Sequence, residues 1–444
     1  MAARDTAPVN IEPWLPVAAA AHPGRLALGT PGGNLTYAEL EARAQRAAGI
    51  LARRGARPGD RVGILLAPGA AFAEALHGCL RLGAVAMPLD VRLAPRERPH
   101  QAAGARLVID APLEGPGDPQ AALVERHRAD EIAAVVHTSG SAGTPKPIEL
   151  TYGNWAASAE GSARRLGIDP AERWLCALPV SHVGGLSILI RSAIHATTAV
   201  VHPGWESEAV RRALHSEAIT LISVVPTTLS RLLDGDRPYA PALRCALVGG
   251  GPLPAALAER AADAGVPVAQ TYGLTEACSH VTTSEIGEPA TAGPPLPGTT
   301  VQIDADGEIL VSGPTVAPRA VAPDGRLHTG DLGRLDDQGR LLVSGRRADT
   351  IVSGGENVAP AEVEAALLEH PAVAEAAVHG RPDPEWGEAV VATVVARKGA
   401  RPSERELRAH CAELLAAYKV PKAIALRPAL PRTPSGKLDR GALG

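Results

Sequence analysis

The sequence predicts an α/β protein: a large N-terminal domain of parallel-type sheets flanked by helices, with a small antiparallel β subdomain, followed by a small mobile α+β C-terminal lid. Three observations predict it. From about residue 34 to 275, short apolar runs alternate with segments of helical spacing, the pattern of parallel strands covered on both faces by helices. Near 293 the pattern changes to short alternating strands separated by Gly, Asp and Pro turns, as in a small antiparallel sheet or barrel. Beyond about 345–349 strands and helices resume in a different order, which divides the chain into domains at 1–345 and 346–444.

The elements follow in order. Leu35 to Tyr37 leads into a helix at 38–54, with Leu40, Ala47, Ile50 and Leu51 among its aliphatic residues. A strand at 61–66, a helix at 70–82 and strands at 84–88 and 106–110 precede a loop at 112–120. The apolar run 132–136 reads as a buried strand, 148–150 continues beyond a polar loop, and helical spacing covers 154–167. Strands at 174–178, 197–202, 219–225, 245–248 and 266–271 then alternate with helices at 186–195, 207–217, 227–233 and 255–264. Antiparallel strands are expected at 301–304, 308–311 and 340–343. The last domain takes helices at 360–369 and 403–416 and strands at 373–378 and 389–396.

Composition narrows the function. A chain of 444 residues, 45% hydrophobic and 21% charged, has ample apolar material for two or three cores. A formal net charge of −4 without a basic tract argues against nucleic acid or a membrane surface as partner. With aromatics at 2%, stacking platforms for single strands are not expected. Five widely spaced cysteines show no metal-ligand spacing and read as buried small hydrophobes in a reducing compartment. No signal peptide or membrane span is legible, which points to a cytoplasmic protein.

In open α/β sheets ligands gather at the C-terminal strand ends. Four glycine- or hydroxyl-rich segments lie there: 138–146, 179–185, 249–254 and 272–276. The first offers the hydroxyls of Thr138, Ser139, Ser141 and Thr144, backbone N–H groups and the Lys146 ammonium. Gly140 and Gly143 let the main chain approach an anion that a Cβ would obstruct, so the segment suits a polyphosphate. It is not the G-x-x-x-x-G-K-[ST] loop, because Lys146 stands three residues after Gly143 and is followed by Pro147. Further along, Arg191 is a single permanent charge in an otherwise apolar helix. Such a helix is buried on most sides, and the charge then needs an anionic partner.

Taken in order, Thr138–Lys146, Tyr272-Gly-Leu-Thr275-Glu276, Thr329-Gly-Asp331, Gly345-Arg346, Gly354-Gly-Glu-Asn357 and Pro434-Ser-Gly-Lys437 resemble the adenylate-forming, acyl-CoA synthetase superfamily over nearly the whole chain. Individually, Asp331 reads as a turn residue, Glu276 as a helix N-terminal charge and Lys437 as a solvated tail lysine; joint order and spacing make those readings improbable. The resemblance implies ATP, Mg²⁺ and coenzyme A, with a small carboxylic acid as substrate. It places the phosphates on the 138–146 loop and on Thr275, the metal on Glu276, the adenine against Gly249, Gly250, Gly251 and Tyr272, and the ribose on Asp331 with Arg346 nearby. Lys437 would stabilise charge at the α-phosphate, and Gly354 and Gly355 would face the pantetheine arm. His182 and Gly273 would border the acyl group, His182 counting also among the catalytic residues, while the isolated charge of Arg191 points to a substrate with a second carboxylate or a keto acid. Departures from the family pattern are Ala142 and Pro147 in the phosphate loop and Ala348 at the hinge position, where Asp or Lys is usual.

Within the superfamily, 179–189, 225–231 and the Arg346-Arg-Ala-Asp349 segment look most like the o-succinylbenzoate–CoA ligase branch of menaquinone synthesis. An acyl- or aryl-CoA ligase of other specificity stays open, as does a stand-alone amino-acid adenylation enzyme. The latter usually has an Asp just after the His182 segment, and none occurs here before Trp205. A non-catalytic nucleotide-sensing relative would be expected to lack Glu276, Asp331 and Lys437. A homodimer is compatible with the sequence.

Overall fold

A computed structural model describes residues 9–93, 98–138, 146–234, 240–353, 356–383, 386–433 and 438–443. The expected alternation builds two sheets. One has five strands in the order Leu107–Ile109, Arg61–Ile64, Val85–Pro88, Ile132–Thr138 and Lys146–Thr151, parallel except for the last. The other has eight: Ser279–Thr283, Val268–Leu274, Cys245–Val248, Leu221–Val224, Arg173–Cys176, Thr198–Val201, Leu26–Thr30 and Gly33–Thr36. Its six inner strands are parallel and both edge strands antiparallel. Cys245–Val248, Leu221–Val224 and Thr198–Val201 are buried throughout. That is why they read as unbroken apolar runs without alternation.

The helices start and stop for local reasons. Tyr37–Arg53 opens on a capping box, in which the Thr36 hydroxyl accepts from the Glu39 amide (3.3 Å) and the Glu39 carboxylate accepts from the Thr36 amide (2.8 Å). Ala70–Leu82 ends at Gly83, whose φ of 74° few other residues adopt readily. These two helices pack closely because Gly78 has no side chain; a Cβ there would stand 2.6 Å from the Ala47 Cβ. With so few aromatics, such small-residue contacts supply the core's density.

Two boundaries move with consequences for the site. The helix expected from 186 begins at Val183, which makes His182 its N-cap residue. The strand expected to end at 271 runs on to Leu274, because Ser279–Thr283 turns back and pairs with it. The antiparallel sheet is a meander of Thr300–Ile303, Glu308–Ser312, Leu327–Leu335 and Leu341–Arg346. Leu327–Leu335 was not expected as a strand, since Gly330, Asp331 and Gly333 disfavour one locally; partners on both sides hold it extended.

Beyond Arg346, Glu356–Val358, Ile351–Ser353, Gly387–Ala396 and Val373–Asp383 form one sheet, with Ala423–Leu426 parallel to Gly387–Ala396. Helices Pro360–Glu369 and Glu404–Leu414 share a core with it through Val363, Leu367, Val378, Val390, Leu407 and Cys411. All five cysteines are buried and free. Among the described residues no helix is long and apolar enough to cross a membrane.

Candidate active site

Thr138 and Lys146 are register partners at the end of two antiparallel strands. Ser139, Gly140, Ser141, Gly143 and Thr144 lie outside the described residues, as do Gly354, Gly355 and Lys437. The 3-10 turn Thr275–Ala277 packs against both of those strands, which brings Thr275 and Glu276 alongside the strand pair that ends at Thr138 and Lys146. The Glu276 carbonyl accepts from the Ala317 amide at 2.8 Å. Two residues on, Arg319 turns to Glu149 (3.0 Å) and leaves the half-buried Glu276 carboxylate unpaired among the described residues.

The glycine turn sits at the end of the neighbouring strand. The Gly249 amide donates to the Val224 carbonyl (3.1 Å), and a Cβ on Gly249 would come within 2.9 Å of Thr271 Cγ2. Gly250 has φ 74°. Gly249 thus packs against Thr271, the residue before Tyr272, and Gly250 leaves its backbone exposed at the turn. At Gly273 the strand pair shifts register, and a Cβ there would fall 1.7 Å from the Ser279 carbonyl oxygen. Only glycine lets the two backbones meet.

Asp331 is 7% exposed and held from two sides. The Tyr272 hydroxyl donates to Oδ2 (2.7 Å) and Arg346 Nε to Oδ1 (2.9 Å). Burial, and then the Asp331 charge, push the Tyr272 phenol far above its usual range, so it stays a donor. A carboxylate oxygen has two lone pairs, and each Asp331 oxygen has one left for a further hydroxyl.

His182 stands apart from this group. Its Nε2 lies 3.3 Å from Arg92 Nη2 and 3.9 Å from Asp90 Oδ2. Arg92 grips Asp90 with both Nε (2.8 Å) and Nη2 (2.5 Å). Burial opposes the Asp90 charge, but the side-chain and backbone hydrogen bonds from Arg92 outweigh it and hold the carboxyl below its usual range. Asp90 and Arg92 escaped the sequence reading. Their signal was available, since they follow the C-terminal end of Val85–Pro88 as the other candidates follow theirs.

Arg191 is 2% exposed, nine residues along the helix from His182. Among the described residues it meets neutral groups: Nη2 donates to the Ser158 hydroxyl (2.9 Å), Nη1 lies 3.4 Å from His280 Nε2, and the guanidinium carbon stands 5.8 Å from the centroid of the Trp174 ring. Its Nε has no partner among the described residues. Burial lowers its pKa to about 10. Burial and then the Arg191 charge drive His280 well below the usual imidazole range, so His280 is neutral. His280 is the register partner of Gly273, which places the Arg191 cluster directly behind the Tyr272–Glu276 segment. Arg191 also lines a small cleft with Trp174, His195 and Thr197.

The AMP-binding enzyme family profile matches residues 15–319, and the AMP-binding enzyme C-terminal domain matches 362–437. The chain belongs to the AMP-binding enzyme family. This AMP-binding enzyme is 37% identical over 471 residues to the 2-succinylbenzoate–CoA ligase of Bacillus cereus (strain Q1), covering 97% of each. It resembles the structure of o-succinylbenzoate CoA synthetase from Bacillus subtilis in complex with the acyl-adenylate intermediate OSB-AMP, with a TM-score of 0.91, 36% identity and 98% of each chain covered. The complex of the same synthetase with ATP and magnesium ion gives 0.90 at 37% identity, covering 98% of this chain and 100% of that one. In this AMP-binding enzyme the donor set suits magnesium. Among the described residues no three His, Cys, Asp or Glu side chains cluster as an all-protein cage. A single unpaired carboxylate suits an ion that prefers phosphate and water oxygens to an all-protein cage.

Proposed function

We propose that this chain is an o-succinylbenzoate–CoA ligase. The substrate carboxylate attacks the α-phosphorus of ATP and pyrophosphate leaves; the CoA thiol then attacks the acyl-adenylate carbonyl and AMP leaves. Asp331, held by Tyr272 and Arg346, accepts from the ribose hydroxyls. The backbone of Gly249–Gly251 and the Tyr272 ring flank the base. Thr275 and the strand end at Thr138 and Lys146 receive the phosphates, and Lys437 meets the charge that grows on the α-phosphate. Glu276 would hold magnesium, which supplies charge neutralisation on the phosphates when bound. Five free, buried thiols suit a reducing cytoplasm.

The observation that carries the acyl preference is Arg191. A guanidinium buried among a hydroxyl, a neutral imidazole and an indole has lost its hydration without gaining an anion. A substrate with a second carboxylate supplies one, directly or through a water. A mono-acid does not. The test is a panel of carboxylic acids, including o-succinylbenzoate and benzoate, assayed for ATP- and CoA-dependent thioester formation. The proposal expects o-succinylbenzoate to have the highest kcat/KM. A mono-acid outranking it would remove the assignment and leave an acyl-CoA ligase of another specificity.

A further inference from the structure

A second carboxylate stands behind the Thr329–Asp331 segment. Glu308 opens the strand Glu308–Ser312 opposite Leu332, where the pairing shifts register. It is 7% exposed. Its Oε1 accepts from the Gly330 amide at 2.8 Å, and its Oε2 faces His328 Nδ1 at 3.4 Å and Arg347 Nη2 at 4.0 Å. Gly330 adopts φ 70° where the strand pairing is irregular, and its N–H takes this carboxylate as acceptor in place of a strand carbonyl. The neighbours are tied as well. The Thr329 hydroxyl donates to the Ile309 carbonyl (2.7 Å) and accepts from the Asp331 amide (3.1 Å).

Charged partners surround Glu308. His328 Nε2 lies 3.1 Å from Asp324, which also pairs with Arg326 at 2.8 Å, and Arg347 reaches Asp306 at 3.4 Å. Hydrogen bonds to Asp324 and then Glu308 raise the His328 pKa. Adjacent arginines thus face adjacent carboxylates, Arg346 on Asp331 and Arg347 toward Glu308. A charged acceptor makes the stronger bond to the Gly330 amide.

We propose that Glu308 is a positioning residue for the nucleotide, holding the Thr329–Gly330–Asp331 turn so that the Asp331 carboxylate meets the ribose hydroxyls. The proposal rests on the reading that Asp331 accepts from the ribose. Glu308 touches no nucleotide atom itself. Its effect is confined to the hydroxyls, and that separates positioning from a general structural role.

The test is calorimetric titration of the full chain with AMP and with 2′,3′-dideoxy-AMP. The parent binds AMP about ten-fold or more tightly than the dideoxy analogue, the fold-change of one or more charge-assisted hydrogen bonds. Glu308→Ala brings the two affinities within about three-fold of each other by weakening AMP alone, while Glu308→Gln, whose amide oxygen still accepts from Gly330, keeps most of the preference. If the alanine protein does not fold, Glu308→Asp, which keeps the charge but withdraws the oxygen, reads the same loss. Equal weakening of both nucleotides, or an unchanged preference in Glu308→Ala or Glu308→Asp, overturns the proposal. So does Glu308→Gln behaving like the alanine protein. Asp331→Ala serves as the control. If it keeps the preference, the ribose reading fails and takes the proposal with it; if it loses the preference while Glu308→Ala does not, the proposal alone fails.

Discussion

Replacing Arg191 with leucine separates substrate recognition from folding, because the two effects have opposite signs. A guanidinium held at about 10 instead of 12.5 carries a desolvation cost on the order of 3 kcal/mol. Against that, Arg191 makes one hydrogen bond to Ser158 and one contact to His280, together about 2 kcal/mol at the usual net value. Ser158 keeps a partner when Arg191 goes, since its hydroxyl also donates to the Cys278 carbonyl at 2.6 Å. The free enzyme should therefore unfold at the same temperature as the parent or slightly higher. The substrate side loses instead. A hydrogen bond to a charged group contributes ~1.5–3 kcal/mol, which lowers kcat/KM for o-succinylbenzoate by roughly one to two decades. Benzoate turnover, however weak, should fall less or rise. The assay is thioester formation with both acids, alongside a thermal melt. Loss of both activities by one factor, or a marked drop in melting temperature, would refute the reasoning and make Arg191 a packing residue.

Glu276→Gln keeps shape and removes charge, so the apparent magnesium requirement should rise as adenylation falls, read by a magnesium titration of pyrophosphate release; an unchanged titration removes Glu276 from the metal. Lys437→Ala should slow acyl-adenylate formation by ~10²–10³ and largely spare thioester formation from supplied adenylate, with equal damage to both half-reactions counting against the assigned role. His77 bears on stability alone. Burial lowers its pKa from 6.5 to about 4, so the unfolded chain takes up the proton first. Stability is therefore full above about pH 6.5 and declines as the pH falls toward 4, by up to ~1.4 kcal/mol per pH unit for this one group. His77→Leu should shrink the difference in urea midpoint between pH 7 and pH 5. A difference as large as the parent's would exclude His77 from the acid limb.

The alternation of apolar runs and helical spacing was enough to establish an α/β chain, because strands buried on both faces, such as Cys245–Val248, have an apolar signature that needs no partner to be read. Helix ends were equally local: Ala70–Leu82 and Pro360–Glu369 fall where a following glycine or a leading proline puts them. The glycine and hydroxyl segments were legible for the same reason, since backbone exposure and hydroxyl density are properties of a few consecutive residues. Strand Leu327–Leu335 was not legible, because two flanking strands impose an extended path on a glycine-rich stretch. Asp331 could be named from its motif, but that Tyr272 and Arg346 take one oxygen each is a matter of where three distant segments cross. Arg191 shows the division most clearly. Its isolation in an apolar helix was visible along the chain, and burial followed from it. That Ser158 and His280, 33 and 89 residues away, meet it with neutral atoms was decided by packing alone, because charge compensation depends on distance in space and not on separation in sequence.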